Sequence, residues 1–166
     1  MPVAAVAARR PYLSPSHFLT ESLFAKVRFV ATEIFRYHHR VTYADCTVGN
    51  HIYYARYLNI LEAARGEFVR HLGRNLLQLQ NEGIIFPVIE CHLRYRGAAR
   101  YDDLLTVELR LTELARVRLA FLHRVLTPDG RELVEATTVH ACTTLNDKPR
   151  RLPEDLAALL QPYVQA

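Results

Sequence analysis

One stretch of helical period stands alone in this chain. Tyr54, Tyr57, Leu58, Leu61, Ala64, Phe68 and Leu72 recur at spacings of three and four. They form one apolar stripe on a helix of about five turns. Gly73 follows, placed to end that helix as a C′ residue. The other long patterned segments alternate with period two. Phe35, Tyr37, His39, Val41 and Tyr43 alternate with Arg36, His38, Arg40 and Thr42, which predicts a strand. Further strands are predicted over 85–96, 105–111, 117–125 and 132–145. Thr127-Pro128-Asp129-Gly130 has hairpin-turn chemistry, and Asn146-Asp147-Lys148-Pro149 is a second turn. Pro153 to Leu160 reads as a short terminal helix with Pro at its start. Short hairpins imply antiparallel pairing, and a sheet with one apolar face requires a cover. The helix over 53–72 is the long element available for that role. The fold class is therefore α+β, an antiparallel sheet wrapped around one long central helix.

The bulk properties agree with a single folded domain. The chain has 166 residues, half of them apolar and 23% charged, an ordinary globular balance. The net charge is +4, and no run of basic residues points to nucleic acid. A mild positive field suits an anionic small substrate such as a nucleotide-bearing thioester. Cys46, Cys91 and Cys142 are odd in number and widely spaced, so reduced thiols in a cytoplasmic protein are expected. No apolar run reaches membrane-spanning length. Arg9 and Arg10 follow the apolar Met1–Ala8 stretch, the reverse of the order in a secretory signal. Residues 1–32 read as an N-terminal extension, an arm containing Pro2, Pro11 and Pro15 and then a short helix over 21–32. Residues 33–166 read as the domain.

The first strand leads through Tyr43-Ala44-Asp45-Cys46-Thr47-Val48-Gly49-Asn50-His51-Ile52-Tyr53-Tyr54 into the helix. Such a junction aims unpaired backbone N–H groups at whatever occupies the turn. An acid, an amide and an imidazole (Asp45, Asn50, His51) gather there. Those are tools for activating a carbonyl.

This stretch resembles the signature of hotdog-fold acyl-CoA thioesterases of the 4-hydroxybenzoyl-CoA thioesterase class. That signature reads Tyr/Phe-x-Asp-x-Asp-x-x-Gly-His-Val-Tyr-Tyr-x-x-Tyr, followed by a helix with Glu-x-x-Arg. Tyr43, Asp45, His51, Ile52, Tyr53, Tyr54 and Tyr57 match it, and then Glu62 and Arg65. Arg96 to Asp103 resembles a later family loop and Thr138 to Cys142 its last strand. The match runs over about residues 35–155. The resemblance implies hydrolysis of an acyl-CoA (aliphatic or aromatic), with CoA as part of the substrate and no metal or redox cofactor. It also implies a homodimer or homotetramer with substrate at a subunit interface. The chain departs from the signature twice. The second Asp falls on Thr47 and the Gly before His falls on Asn50. A threonine hydroxyl cannot act as base, so the usual catalytic assignment does not carry over.

Other residues must then do the chemistry. By resemblance, Tyr54 supplies the N–H that points at the thioester oxygen, and Thr47 lies on the substrate side. The activating carboxylate is Asp45 or Glu62. Asp45 shares a strand face with Thr47 if the backbone stays extended; otherwise it braces the turn. Glu62 lies eight residues after Tyr54, about 80° past two full turns. By resemblance to another hotdog branch it takes the catalytic role; otherwise it pairs with Arg65. Asn50 and His51 are supporting groups, holding water or carbonyl and orienting the loop. Cys46, His92 and His140 are read as structural. Arg94, Arg96, Arg100, Lys148, Arg150 and Arg151 are candidates for the CoA phosphates. Two alternatives stay open: a thioesterase acting on an acyl carrier protein, and a hotdog protein that binds acyl thioesters without turnover.

Overall fold

The computed structural model describes residues 33–165; the readings of residues 1–32 as an arm and short helix lie outside them. Strand β1 (Phe35–Arg40) leads to two very short strands, β2 (Cys46–Thr47) and β3 (His51–Ile52). Helix α1 (Arg56–His71) follows, then a short α2 (Leu76–Asn81). Strands β4 (Val88–Tyr95), β5 (Leu104–Leu114), β6 (Arg118–Leu126) and β7 (Glu132–Ala141) precede α3 (Glu154–Leu160). The large sheet has the order β1-β5-β6-β7-β4, antiparallel throughout, while β2 and β3 form a hairpin of their own. The expected architecture is present: a hotdog arrangement with α1 buried against the sheet.

Tyr57, Ile60, Leu61 and Ala64 of α1 share a core with Leu105, Val107, Val125, Val134 and Ala136. Phe68 carries the contact onward to Leu109, Leu111, Phe121, Leu156, Leu160 and Tyr163. These positions follow the helical period on one side and alternate on the other, so each element presents one apolar face. Gly73 ends α1 as expected, with φ +77 and its N–H donating to the Arg70 carbonyl. Two members of the predicted stripe are exposed. Tyr54 precedes the helix and is 61% exposed, and Leu58 is 43% exposed. Ile60 takes up core space that the stripe had not included.

The ends of the first and last strands differ from the sequence pattern, and one helix lies outside it. The first strand stops at Arg40, because Val41 bonds Asp103 and Tyr43–Asp45 forms a 3₁₀ turn. Tyr43 is consequently 85% exposed. The last strand stops at Ala141, where the Cys142 N–H turns to the Val117 carbonyl. Helix α2 was not anticipated; it is six residues long, too short to show a period. Its start is set by a reciprocal cap, with Asn75 Oδ1 accepting from the Gln78 N–H and Gln78 Oε1 from the Asn75 N–H.

Under α1 the sheet carries an unusual buried base. His123 is fully buried and neither ring nitrogen has a hydrogen-bond partner among the described residues. The Ala136 backbone is close enough to favour the protonated ring slightly, without hydrogen-bond geometry. Burial drives its pKa down to about 3, and Arg65 and His140 push the same way. His140 is likewise lowered to about 4, chiefly by burial. Both rings are neutral in the fold, while the unfolded chain takes up protons below about pH 6.5. Stability is therefore fully present above that pH and falls as pH drops towards 4. The expected slope approaches about 2.7 kcal/mol per pH unit for the pair. His123→Leu should roughly halve it, as urea midpoints at pH 7, 6 and 5 will show.

Candidate active site

The site region is built where the β2–β3 hairpin delivers the chain to α1. Thr47 and His51 face each other across the hairpin, and Val48, Gly49 and Asn50 close it. Gly49 and Asn50 have φ +87 and +56. A side chain at Gly49 would meet open space, so backbone conformation is what calls for glycine there. Asn50 is among the non-glycine residues that tolerate such angles. Its Oδ1 accepts the Tyr101 N–H at 3.0 Å, tying the hairpin to the loop before β5. Thr47 and His51 are exposed, and no side-chain hydrogen bond engages either among the described residues.

Asp45 does not share an extended face with Thr47, because it closes the 3₁₀ turn. Its Oδ2 accepts from the Thr42 N–H at 2.8 Å and the Thr42 hydroxyl at 2.7 Å, and meets His39 Nε2 at 3.2 Å. Burial works to raise its pKa, but these hydrogen bonds outweigh it and hold the carboxyl below the usual range. The carboxylate is thus engaged as a brace. Its stabilising effect is present above the unfolded pKa and is lost as pH falls through the lowered folded value. Asp45→Asn should cost about 1 kcal/mol at pH 7. The gap from wild type should close as pH drops below about 4, read from urea midpoints.

Two groups near α1 are left open. The backbone N–H of Tyr54 has no acceptor among the described residues. Tyr95 of β4 holds this junction in place, donating its hydroxyl to the Tyr54 carbonyl at 3.1 Å and packing against the Tyr54 and Tyr57 rings. The Tyr57 hydroxyl accepts the Ala99 N–H at 3.2 Å. Glu62 is exposed, and its carboxylate takes no hydrogen bond or close ion pair among the described residues. Its charge is nonetheless felt by Arg65, whose half-buried guanidinium is lowered in pKa by burial and supported by Glu62. The Glu62–Arg65 contact expected on one helix face is therefore a through-space influence rather than a bonded pair.

Two residues of this region had no role in the sequence reading. Tyr95 was one apolar position in an alternating run. Cys91 stands near Arg65, its thiol raised in pKa by burial. The candidate phosphate ligands divide: Arg96 is tied to Glu132 and Glu135, and Arg150 donates to the Glu82 and Gly83 carbonyls. Among the described residues no three His, Cys, Asp or Glu side chains gather as a metal site, and no helix is long and apolar enough to cross a membrane.

Residues 41–160 match the thioesterase-like superfamily. The chain belongs to that family. The thioesterase is 33% identical over 128 residues to the acyl-CoA thioester hydrolase YbgC of Escherichia coli, covering 76% of this chain and 96% of that one. It is 35% identical over 123 residues to the acyl-CoA thioesterase YbgC of Haemophilus influenzae, covering 72% and 88%. A crystal structure of the hypothetical protein TT1821 from Thermus thermophilus superposes on the thioesterase with a TM-score of 0.72. It is 31% identical and covers 77% of this chain and 98% of that one.

Proposed function

We propose that this thioesterase hydrolyses acyl-CoA to the free acid and CoA at a site shared by two copies of the chain, after the pattern of the 4-hydroxybenzoyl-CoA class. The relatives' acyl-CoA chemistry supports the substrate. The Tyr54 N–H polarises the thioester carbonyl, and Glu62 of the partner subunit activates the attacking water. Water adds to the carbonyl carbon and gives a proton to that carboxylate. The oxyanion rests on the Tyr54 N–H, aided by the positive end of α1. Collapse breaks the C–S bond, and the departing CoA sulfur takes the proton. A donor of this kind is worth about 2.7–4 kcal/mol in the barrier. The groups named, together with water, suffice for this chemistry.

The observation that carries this reading is the pairing of an open amide with an open carboxylate. Glu62 lies six residues, about 9 Å, past the first residue of α1, and Tyr54 lies two residues ahead of it, while an oxyanion donor and a base must both reach one carbonyl within about 3 Å. One copy does not satisfy that. A two-fold axis does, because it brings residue i to residue j and j to i. The residue midway is Leu58, an exposed leucine beside exposed Tyr53 and Tyr54. On the same side runs β4, an edge strand with Val88, Ile89 and Tyr95 exposed. Long edge strands with apolar exposure are normally covered. Within this reading Asp45 and Asn50 shape the turn, and Thr47 and His51 face the polar CoA portion.

Mixing two inactive variants tests the proposal. Tyr54→Pro removes the N–H two residues ahead of α1, at a position where no backbone hydrogen bond among the described residues is lost. Glu62→Gln removes the base. Exchanged subunits yield heterodimers with one intact shared site, restoring about a quarter of wild-type CoA release. No recovery, with exchange verified by mass, rejects the shared site. Binding without turnover by wild type on all acyl-CoAs rejects hydrolysis.

A further inference from the structure

A cavity lies beside the second half of α1. Its volume is about 300 Å³. Glu62 and Arg65 stand at the end nearer the helix start, and the wall continues along α1 through Phe68 and Val69 to Leu72. Opposite them are Phe121 and side chains from α2 and α3, among them the buried Leu79 and Leu156. Val88 and Leu76, both about half exposed, form part of the rim.

We infer that this cavity holds the acyl tail of the substrate and selects an unbranched, unfunctionalised aliphatic chain of up to about twelve carbons. The inference rests on the reading above for one point, that the carbonyl is processed beside Glu62. Three observations then set the tail. An apolar cavity of roughly 150 Å³ takes up benzene, so twice that volume has room for about twelve carbons. Length agrees independently. Glu62 and Leu72 are ten residues apart, about 15 Å along the axis, and an extended chain advances roughly 1.2 Å per bond. Beyond Glu62 and Arg65 the wall also asks for no polar group. His140, the polar residue on the inner wall, already has both ring nitrogens engaged, with the Phe86 carbonyl at 3.1 Å and the Thr138 hydroxyl at 3.0 Å. Arg65 lines the cavity beside Glu62, and burial lowers its pKa while the Glu62 charge supports it. A polar head is thereby kept at that end and an apolar tail is admitted beyond it. A benzoyl group would leave about half the space empty.

The experiment is a binding and turnover series on the full chain. Non-hydrolysable S-alkyl-CoA thioethers from ethyl to hexadecyl are titrated by calorimetry, and CoA release is measured for the matching thioesters and for benzoyl-CoA. Affinity is expected to rise by about fourfold per methylene and to level off near twelve carbons. Val69→Phe, which narrows the cavity, should move the plateau to shorter chains. Phe86→Ala, which widens it, should move the plateau to longer ones, a gain that misfolding cannot produce. Graded binding without turnover of any thioester would remove the catalytic reading and leave this one standing. Turnover that is equal for acetyl, decanoyl and benzoyl thioesters, or a plateau unmoved in both variants, overturns this inference while leaving hydrolysis intact.

Discussion

Glu62→Gln is expected to lower kcat for acyl-CoA hydrolysis by about 10²–10⁴-fold, the usual contribution of a positioned acid–base group. KM should change little, because the exchange keeps the shape of the side chain and removes only its basicity. The fold should not notice. Glu62 is exposed and its carboxylate makes no hydrogen bond or close ion pair among the described residues, so the urea midpoint should stay within about 0.5 kcal/mol of wild type. Asp45→Asn should behave in the opposite way. Its carboxylate already takes two hydrogen bonds from Thr42 and one contact from His39, so stability should fall more than rate. Full kcat in Glu62→Gln alongside a collapsed kcat in a folded Asp45→Asn would reverse the two assignments.

Leu61→Ala should destabilise the domain by about 2–5 kcal/mol. Leu61 is fully buried at the centre of α1, among Leu105, Val107, Val125 and Val134 from three strands. Truncation removes apolar burial and leaves a void between a helix and a sheet that are each held by other contacts, so the site relaxes only in part. A domain of this kind has about 5–15 kcal/mol in total, and the loss is a large share of it. The urea midpoint should fall with an unchanged m-value. Leu58→Ala, three residues away and exposed, should cost the isolated subunit under about 0.5 kcal/mol. A loss for Leu61→Ala as small as that for Leu58→Ala would mean that α1 is not the element that closes the sheet.

The alternating runs and the single helical stripe were legible because periodicity is a local property of the chain. A residue's face is set by its neighbours two, three and four places away. The same locality explains the errors. Thr42 and Asp45 stand at capping-box spacing, but the alternating pattern runs through them and masks the 3₁₀ turn that their reciprocal bonds make at the strand end. Helix α2 carries its Asn75–Gln78 cap in plain view, but six residues offer too little pattern to separate a helix from a loop. Tyr54 fits the stripe by phase but precedes the helix, and Leu58 lies on the helix outside the cluster that buries Tyr57 and Leu61.

The sequence by itself determined that four strands would follow a long helix and pair antiparallel, and that an acid, an amide and an imidazole would sit where a turn meets that helix. Tertiary structure alone decided which carboxylate stays open, since Asp45 is engaged by Thr42 and His39 while Glu62 faces the cavity. It also decided that β1 pairs with β5 and β4 with β7, and that the Arg65 charge acts on a buried, neutral His123. The strand pairings and the approach of Arg65 to His123 join residues tens of positions apart that meet only when the sheet closes on the helix, whereas Asp45 meets Thr42 and His39 three and six residues away, once the strand end folds into its turn.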